Sequence, residues 1–132
     1  MQRELEERIG RIEAAIAAGE ALLSGPPPSG DELAKRTLQA ALMVGAYQLH
    51  VQREFFDRYA DHPDAGVRDT ALALRAECSA LRGQLHGSVR KTAAEAPDPA
   101  HFTRTSRLYN AAFRQHFGKV RALVARAEAS SV

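Results

Sequence analysis

Three short stretches rich in proline and glycine divide this chain, and they constrain its fold more than any other feature. They are "SGPPPSGD" at residues 24–31, "DHPDAG" at residues 61–66 and "APDPAH" at residues 96–101. Proline and glycine interrupt helices and strands, so each stretch marks a turn or a linker. The four segments between them are rich in Ala, Leu, Arg and Glu, which favour helix. The sequence therefore predicts one domain, residues 1–132, with helices at roughly residues 2–23, 31–60, 65–95 and 101–128.

Each predicted helix carries apolar residues at helical spacing, which gives it one face suited to a core. Because short turns join neighbouring helices in opposite directions, the predicted fold class is all-α, an up-down-up-down four-helix bundle. The predicted core-facing residues are, in chain order, Leu5, Ile9, Ile12, Ile16, Leu23, Ala34, Leu38, Ala41, Leu42, Gly45, Leu49, Phe56, Tyr59, Val67, Ala71, Leu74, Cys78, Leu81, Leu85, Val89, Phe102, Tyr109, Ala112, Phe113, His116, Val120, Leu123 and Ala127.

The composition is typical of a globular domain. The chain has 132 residues, of which 45% are hydrophobic and 26% charged. This length is sufficient to bury a core without disulfides or a metal. The single cysteine, Cys78, cannot form an intramolecular disulfide. No apolar run approaches the roughly 20 residues that cross a bilayer, and the opening "MQRELEERIG" is unlike a signal peptide. We expect a cytoplasmic protein without membrane association.

Acidic residues crowd the first predicted helix and basic residues crowd the last. The net charge is only +2, too small to indicate nucleic-acid binding. Three glutamates of the first helix and three arginines of the last each recur every seventh residue, so each set forms a line along its helix. We predict interhelical ion pairs rather than a phosphate-binding stripe. These residues are Glu6, Glu13, Glu20, Arg107, Arg114 and Arg121.

His50 and Glu54 stand four residues apart in "YQLHVQREFFDRY", a spacing that lets one helix aim both at a metal ion. The stripe defined by Leu38, Leu49 and Phe56 places this pair on the side away from the core. We therefore predict a solvent-exposed couple, worth a few tenths of a kcal/mol to the helix.

The same stripe turns Gln48 and Gln52 inward, towards Cys78 of the third helix and His116 of the fourth. Their distances from the turns place all four at about one level of the interior. Since an unpartnered buried polar group costs about 1–3 kcal/mol, this layer needs partners. Three interpretations are open: a layer in which His116 bonds a glutamine amide and Cys78 acts as a small hydrophobe, a weak metal site using His116 and Cys78, or a small ligand pocket.

Three stretches, "FFDRYADHPDAGVRDTALAL", "RAECSALRGQL" and "APDPAHFTRTSRLYNAAF", together resemble the hemerythrin-like superfamily of HHE cation-binding domains. The resemblance runs from about residue 38 to the end of the fourth helix, while the first helix fits by architecture. It implies a non-haem di-iron site in the core, held by histidines and carboxylates and used for oxygen binding or sensing.

The ligand pattern of that family is mostly absent here. The family's helix-two ligand pair falls on Gln48 and Gln52, or one residue earlier, and its helix-three histidine is replaced by Cys78. His116 is similar in place to the helix-four histidine. A gapped alignment would instead restore His50 and Glu54 as ligands, but that alignment contradicts the helix phase.

We therefore expect a hemerythrin-like bundle with a largely lost di-iron site and no cofactor, acting as a non-enzymatic regulatory or interaction domain. The sequence has neither an inward-facing Ser/His/Asp trio nor a phosphate-binding loop, the motifs that would indicate an enzyme of those classes. The alternative is a non-haem iron protein that binds or senses oxygen, nitric oxide or redox state through His50, Glu54, His86 and His116. Met43 and Leu72 lie off the main stripes and suggest a contact patch, for a protein partner or for a weak homodimer of an otherwise monomeric chain.

Overall fold

Four long helices account for most of the residues that the computed structural model describes, which are 2–26, 28–94 and 98–129. They are α1 (Gln2–Leu23), α2 (Gly30–Val51), α3 (Ala65–Ala94) and α4 (Pro99–Ala129), and no strand occurs in these ranges. The prediction of an all-helical chain with four helices is confirmed. The predicted third-helix end at residue 95, parts of the two proline-rich stretches and both chain ends lie outside the described residues.

Helix α2 does not stop at Val51. It continues through a π-helical segment, Gln52–Phe56, and a last α-helical turn, Asp57–Tyr59. The backbone N–H of Asp57 bonds the carbonyl of Gln52, five residues earlier, which is the wider spacing of a π-turn. This turn changes the direction in which the following side chains point, so that Phe55 and Phe56 are both buried.

The helix starts follow the capping residues that the sequence indicates. Ser29 Oγ accepts a hydrogen bond of 3.2 Å from the Glu32 N–H at the start of α2. Asp64 Oδ1 accepts one of 2.8 Å from the Gly66 N–H at the start of α3. A side chain at Gly66 would displace the Arg126 guanidinium, which bonds Asp64 at this position.

His62 ties the turn before α3 to the end of α4. Its ring is 8% exposed, with Nδ1 3.0 Å from the Asp64 backbone nitrogen and Nε2 3.0 Å from the Ala127 carbonyl. Because the backbone N–H of Asp64 can only donate, Nδ1 is the acceptor. Nε2 therefore carries the proton and donates a hydrogen bond to the Ala127 carbonyl. His62 was predicted only to be a turn residue, and its structural role was missed.

The predicted core faces of α1 and α3 are confirmed, and so is most of the α4 face. Phe117 and Val124 of α4 are also buried although the sequence pattern omitted them. The buried apolar residues of these three helices are Leu5, Ile9, Ile12, Ile16, Val67, Ala71, Leu74, Cys78, Leu81, Leu85, Phe113, Phe117, Val120, Leu123, Val124 and Ala127.

The predicted core face of α2 is wrong at its leucines, although Ala41 and Phe56 are buried as predicted. Leu38, Leu42 and Leu49 are 50%, 67% and 54% exposed, and they share one side of the helix that points to solvent. The buried face instead carries smaller or more polar residues, which a search for leucine stripes passes over. These are Leu33, Thr37, Ala41, Val44, Tyr47, Gln48, His50 and Val51. Phe56 seemed to extend the leucine stripe, but it reaches the core only because the π-turn redirects it.

The predicted ion pairs between the first and last helices are confirmed for Arg114 and Arg121 but not for Arg107. Arg121 lies 3.0 Å from both Glu6 and Glu13, and Arg114 lies 2.6 Å from Glu20. The register runs in opposite directions along the two helices, since the later arginine meets the earlier glutamates. Half-exposed pairs of this kind add little stability one by one, but three of them define which faces of α1 and α4 meet.

Within the described ranges, no helix combines the length and apolarity that crossing a lipid bilayer requires.

Candidate functional site

A chain of four hydrogen-bonded side chains crosses the middle of the molecule and joins three helices. The His116 ring, which is fully buried, has Nε2 2.9 Å from the Tyr47 hydroxyl and Nδ1 2.9 Å from Glu77 Oε1. The other carboxylate oxygen of Glu77 accepts a bond of 2.9 Å from Lys119 at the surface. The chain therefore leads from the core, through α2, α4 and α3, to solvent.

The chemistry of these groups fixes the proton positions. An ionised Glu77 can only accept, so His116 Nδ1 carries the proton, and Nε2 accepts from the Tyr47 hydroxyl. Burial lowers the pKa of His116, and this outweighs the raising effect of Glu77. Burial likewise raises the pKa of Tyr47. For Glu77, burial acts to raise the pKa, but the hydrogen bonds from Lys119 and His116 leave it lowered. All four groups are thus satisfied with His116 neutral.

Gln48 and Gln52 face α3 rather than His116. The Gln48 amide donates 3.1 Å to Ser79 Oγ and accepts 2.8 Å from Arg82. With its amide oxygen turned towards Arg75, Gln52 accepts bonds of 2.8 and 3.1 Å. The expectation that a glutamine amide would satisfy His116 is therefore wrong, because both amides pair with side chains on the outer edge of the contact between α2 and α3.

Cys78 behaves as the sequence suggested for a small hydrophobe. It is 1% exposed and belongs to the apolar core, and burial raises the pKa of its thiol to about 12. A thiol that stays protonated at neutral pH is a poor nucleophile and a poor metal ligand.

The prediction that His50 is solvated is wrong. His50 is 8% exposed, and its ring packs edge-on against Phe55 with centroids 5.9 Å apart. Its Nδ1 lies 3.7 Å from a carboxylate oxygen of Glu4 on α1, and its Nε2 has no hydrogen-bond partner in the described part of the chain. Glu54, its supposed couple, is half-buried in the π-helical segment. The error follows directly from the wrong rotation of α2.

The ligands of the alternative iron hypothesis, His50, Glu54, His86 and His116, are not brought together. His86 is exposed and lies 3.4 Å from Arg82, while both nitrogens of His116 already have partners. Across residues 2–26, 28–94 and 98–129, no three His, Cys, Asp or Glu side chains are placed to hold one metal ion. The donor set therefore does not fit the non-haem iron centre that the resemblance implies.

A second feature is a cavity of about 470 Å³ at the end of the molecule where α1 and α3 finish and α2 and α4 start. All four helices contribute to its walls. Its floor is formed by the buried side chains Ile12, Val44, Leu85 and Phe113, and its sides by residues that include Ile16, Ala15, Gly19, Ala40, Met43 and Phe102. Met43 thus lines an interior space rather than the predicted surface patch, whereas Leu72 is 59% exposed as predicted.

The cavity was not predicted as such, although a small ligand pocket was one interpretation of the polar layer. The available signal was residue size: Ala15, Gly19 and Ala40 are small residues that point between helices. Small side chains on facing helices leave volume that the neighbouring side chains do not fill.

Comparison of the chain with protein-family models, with characterised proteins and with solved structures yields no match. The side-chain geometry therefore provides the evidence about function.

The arrangement of possible ligands predicts that the protein is not an iron protein. Material purified from iron-supplemented medium should contain well under one iron per chain by elemental analysis, because both nitrogens of His116 are hydrogen-bonded and no three donor side chains of the described residues converge on one point. Close to two irons per chain, with an oxo-bridge absorption band, would contradict this prediction.

Removing the Tyr47 hydroxyl should destabilise the protein. Tyr47→Phe leaves His116 Nε2 buried without a partner, which should cost about 1–3 kcal/mol of unfolding free energy in urea denaturation. Tyr59→Phe is the matched control, because the Tyr59 ring is only partly buried, and it should change stability by less than about 0.5 kcal/mol. Equal effects of the two substitutions would exclude a special role for the Tyr47–His116 bond.

The lowered pKa of His116 predicts a pH dependence of stability. In the unfolded chain this imidazole takes up a proton as the pH falls through its ordinary pKa of 6.5, while in the folded protein it stays neutral to lower pH. The unfolded state then binds more protons, so the unfolding free energy should fall as the pH is lowered from about 7 to about 5. His116→Gln should flatten this dependence, whereas the exposed His86→Gln should retain it. An unchanged slope in His116→Gln would assign the dependence to other groups.

Proposed function

We propose that this chain is a non-catalytic regulatory domain that works by binding a small molecule in the cavity between its four helices. In this proposal the chain is an up-down-up-down bundle of hemerythrin-like architecture. A hydrogen-bonded side-chain network replaces the metal ligands at mid-height. The binding site is the cavity, which is open at the end where the exposed lining residues Lys91, Asp98 and His101 lie.

The bundle topology is supported by the register of contacts between helices. Gln48 meets Arg82 while the later Gln52 meets the earlier Arg75, so α2 and α3 run in opposite directions. Tyr109 bonds the Gln84 carbonyl while the later His116 meets the earlier Glu77, so the same holds for α3 and α4. The ion pairs between α1 and α4, in which the later arginine meets the earlier glutamates, show the same opposite direction for these two helices.

The absence of catalysis is supported by the state of the polar side chains at mid-height. A general acid or base needs a free position within reach of a substrate, but His116 is enclosed and both its nitrogens are bonded. The Cys78 thiol has a raised pKa and lies in the apolar core. These groups stabilise the interior rather than react with a substrate, which agrees with the proposal that a metal site has been lost here.

The cavity is the observation that carries the proposal. Its volume of about 470 Å³ lies within the range of roughly 300–1,000 Å³ that is typical of small-molecule sites. Its floor and sides are largely apolar, with a few hydroxyl and charged groups towards the open end. Each methylene group of a ligand buried there would contribute about 0.8 kcal/mol, so a mainly apolar molecule gains most of its binding energy from these walls.

Filling the cavity should abolish binding of an apolar dye. Wild-type protein should bind N-phenyl-1-naphthylamine with an increase in fluorescence, and Ala40→Phe should weaken this binding at least about tenfold because the new ring occupies the space. Ala46→Phe is the matched control, since Ala46 lies on the same helix but is exposed and does not line the cavity.

Circular dichroism and thermal unfolding should first show that each variant is folded. Ala15→Phe fills the cavity from the opposite helix, α1, and serves as a second test if Ala40→Phe unfolds. The proposal fails when wild-type protein does not bind the dye, or when folded Ala40→Phe and Ala15→Phe bind it as tightly as wild type.

A further inference from the structure

We propose that the ligand of this cavity is a long-chain carboxylate, with its hydrocarbon chain between the helices and its anionic head at Lys91. This inference rests on the proposed function and specifies the class of molecule that the cavity takes. It is carried by the shape of the cavity and by which of its polar groups lack partners.

The cavity is long in the direction of the helices. Its lining on α4 extends from His101 to Phe113, and a helix rises about 1.5 Å per residue, so these twelve steps cover about 18 Å. The lining on α1 extends over a similar length, from Ile12 to Leu23. At the closed end lie Val44, Leu85 and Phe113, which are all buried. An extended hydrocarbon chain that enters at the helix ends and reaches this floor fits such a space.

Several polar groups on the walls are already satisfied by their own helix or by a neighbour. Thr37 Oγ1 donates 2.8 Å to the Leu33 carbonyl, and the Tyr109 hydroxyl donates 3.2 Å to the Gln84 carbonyl. Asn110 hydrogen-bonds Glu20 on α1. These groups present mainly their carbon atoms to the cavity, which keeps its inner part apolar.

Among the described residues, three charged side chains and one histidine line the cavity near its open end. Arg36 pairs with Glu32 at 3.0 Å. Asp98 caps α4, where its side chain and carbonyl accept backbone N–H groups of Ala100 and Phe102. His101 is exposed in the first turn of α4. The fourth, Lys91, lies in the last turn of α3 and makes no ion pair or hydrogen bond to the described residues.

The unpaired charge at the open end is therefore positive. Lys91 offers three donors to an anion, and the hydroxyls of Thr105 and Ser106, which also line the cavity, make no hydrogen bond to described residues. A carboxylate at this end would accept from these groups. A cationic head would meet Lys91, and Asp98, the one carboxylate among the described residues that line the cavity, is already used as a helix cap.

The test compares three ligands that share one chain and differ in head group: dodecanoate, dodecanol and dodecylammonium. Each is used below its self-association concentration to displace N-phenyl-1-naphthylamine from the protein. Dodecanoate should bind wild-type protein about three- to fivefold more tightly than dodecanol, the range that one partly exposed ion pair supports. Dodecylammonium should bind more weakly than dodecanol.

Lys91→Met should remove the preference for dodecanoate and leave the affinity for dodecanol unchanged. Lys35→Met is the matched control, because Lys35 is exposed on α2 and does not line the cavity. It should keep the full preference. High salt should reduce the preference of the wild-type protein for dodecanoate over dodecanol, and at most to the level seen in Lys91→Met.

The possible failures are distinguishable. Equal binding of dodecanoate and dodecanol to a protein that still binds the dye would overturn the carboxylate inference and leave the proposed function intact. So would an unchanged preference in Lys91→Met, or tighter binding of dodecylammonium. Loss of dye binding by the wild-type protein overturns both proposals.

Discussion

The rest of this structure depends on the neutral imidazole of His116, which is buried at the centre and must be hydrogen-bonded on both sides. Tyr47 satisfies one nitrogen and Glu77 the other. A buried polar group that lacks a partner costs about 1–3 kcal/mol, so this requirement acts on the rotation of three helices at once. The requirement turns Tyr47 of α2 towards the core. It also directs one carboxylate oxygen of Glu77 on α3 towards the core, while the other oxygen accepts from Lys119 at the surface. The outward position of Leu49, two residues after Tyr47, follows from the same rotation.

The sequence was sufficient to predict the helices, because proline and glycine mark their limits and because the stripes of α1, α3 and α4 each have one dominant apolar face. That α1 and α4 pair through their charged rows was also predictable from the sevenfold spacing in both helices, but the register was not, since Arg121 meets both Glu6 and Glu13. Helix α2 was not predictable in this way. It has two competing faces, one with Leu38, Leu42 and Leu49 and one with Val44, Tyr47 and Val51, and apolar periodicity favours the face with more leucines. His50 was placed outward because the exposed leucines were taken as the inward face, and the π-helical segment after it brought Phe56 into apparent agreement with them.

The candidate sites illustrate a second limit of sequence patterns. His116 was recognised as an inward polar residue, but its partners were not, because a tyrosine reads as a core residue and Glu77 as a surface residue. The cavity was harder still. Periodicity records whether a side chain is apolar, whereas a cavity depends on whether facing side chains are large enough to meet. Ala15, Gly19 and Ala40 are consistent with a core face, and only their juxtaposition in space shows that they leave it partly unfilled.

The size of that space bears on why it exists. An enclosed, dry cavity costs about 24 cal/mol per Å³, so even the inner part of this space of about 470 Å³ would cost several kcal/mol if left dry, a large fraction of the stability of a typical domain. Water can enter from the open end, but the apolar floor gives it few partners. The same chain packs Ile9, Val51 and Val120 with no exposed surface, so it is capable of a filled core one or two turns away. A space of this size at one end of a tightly packed interior is what the proposed binding of a small molecule requires.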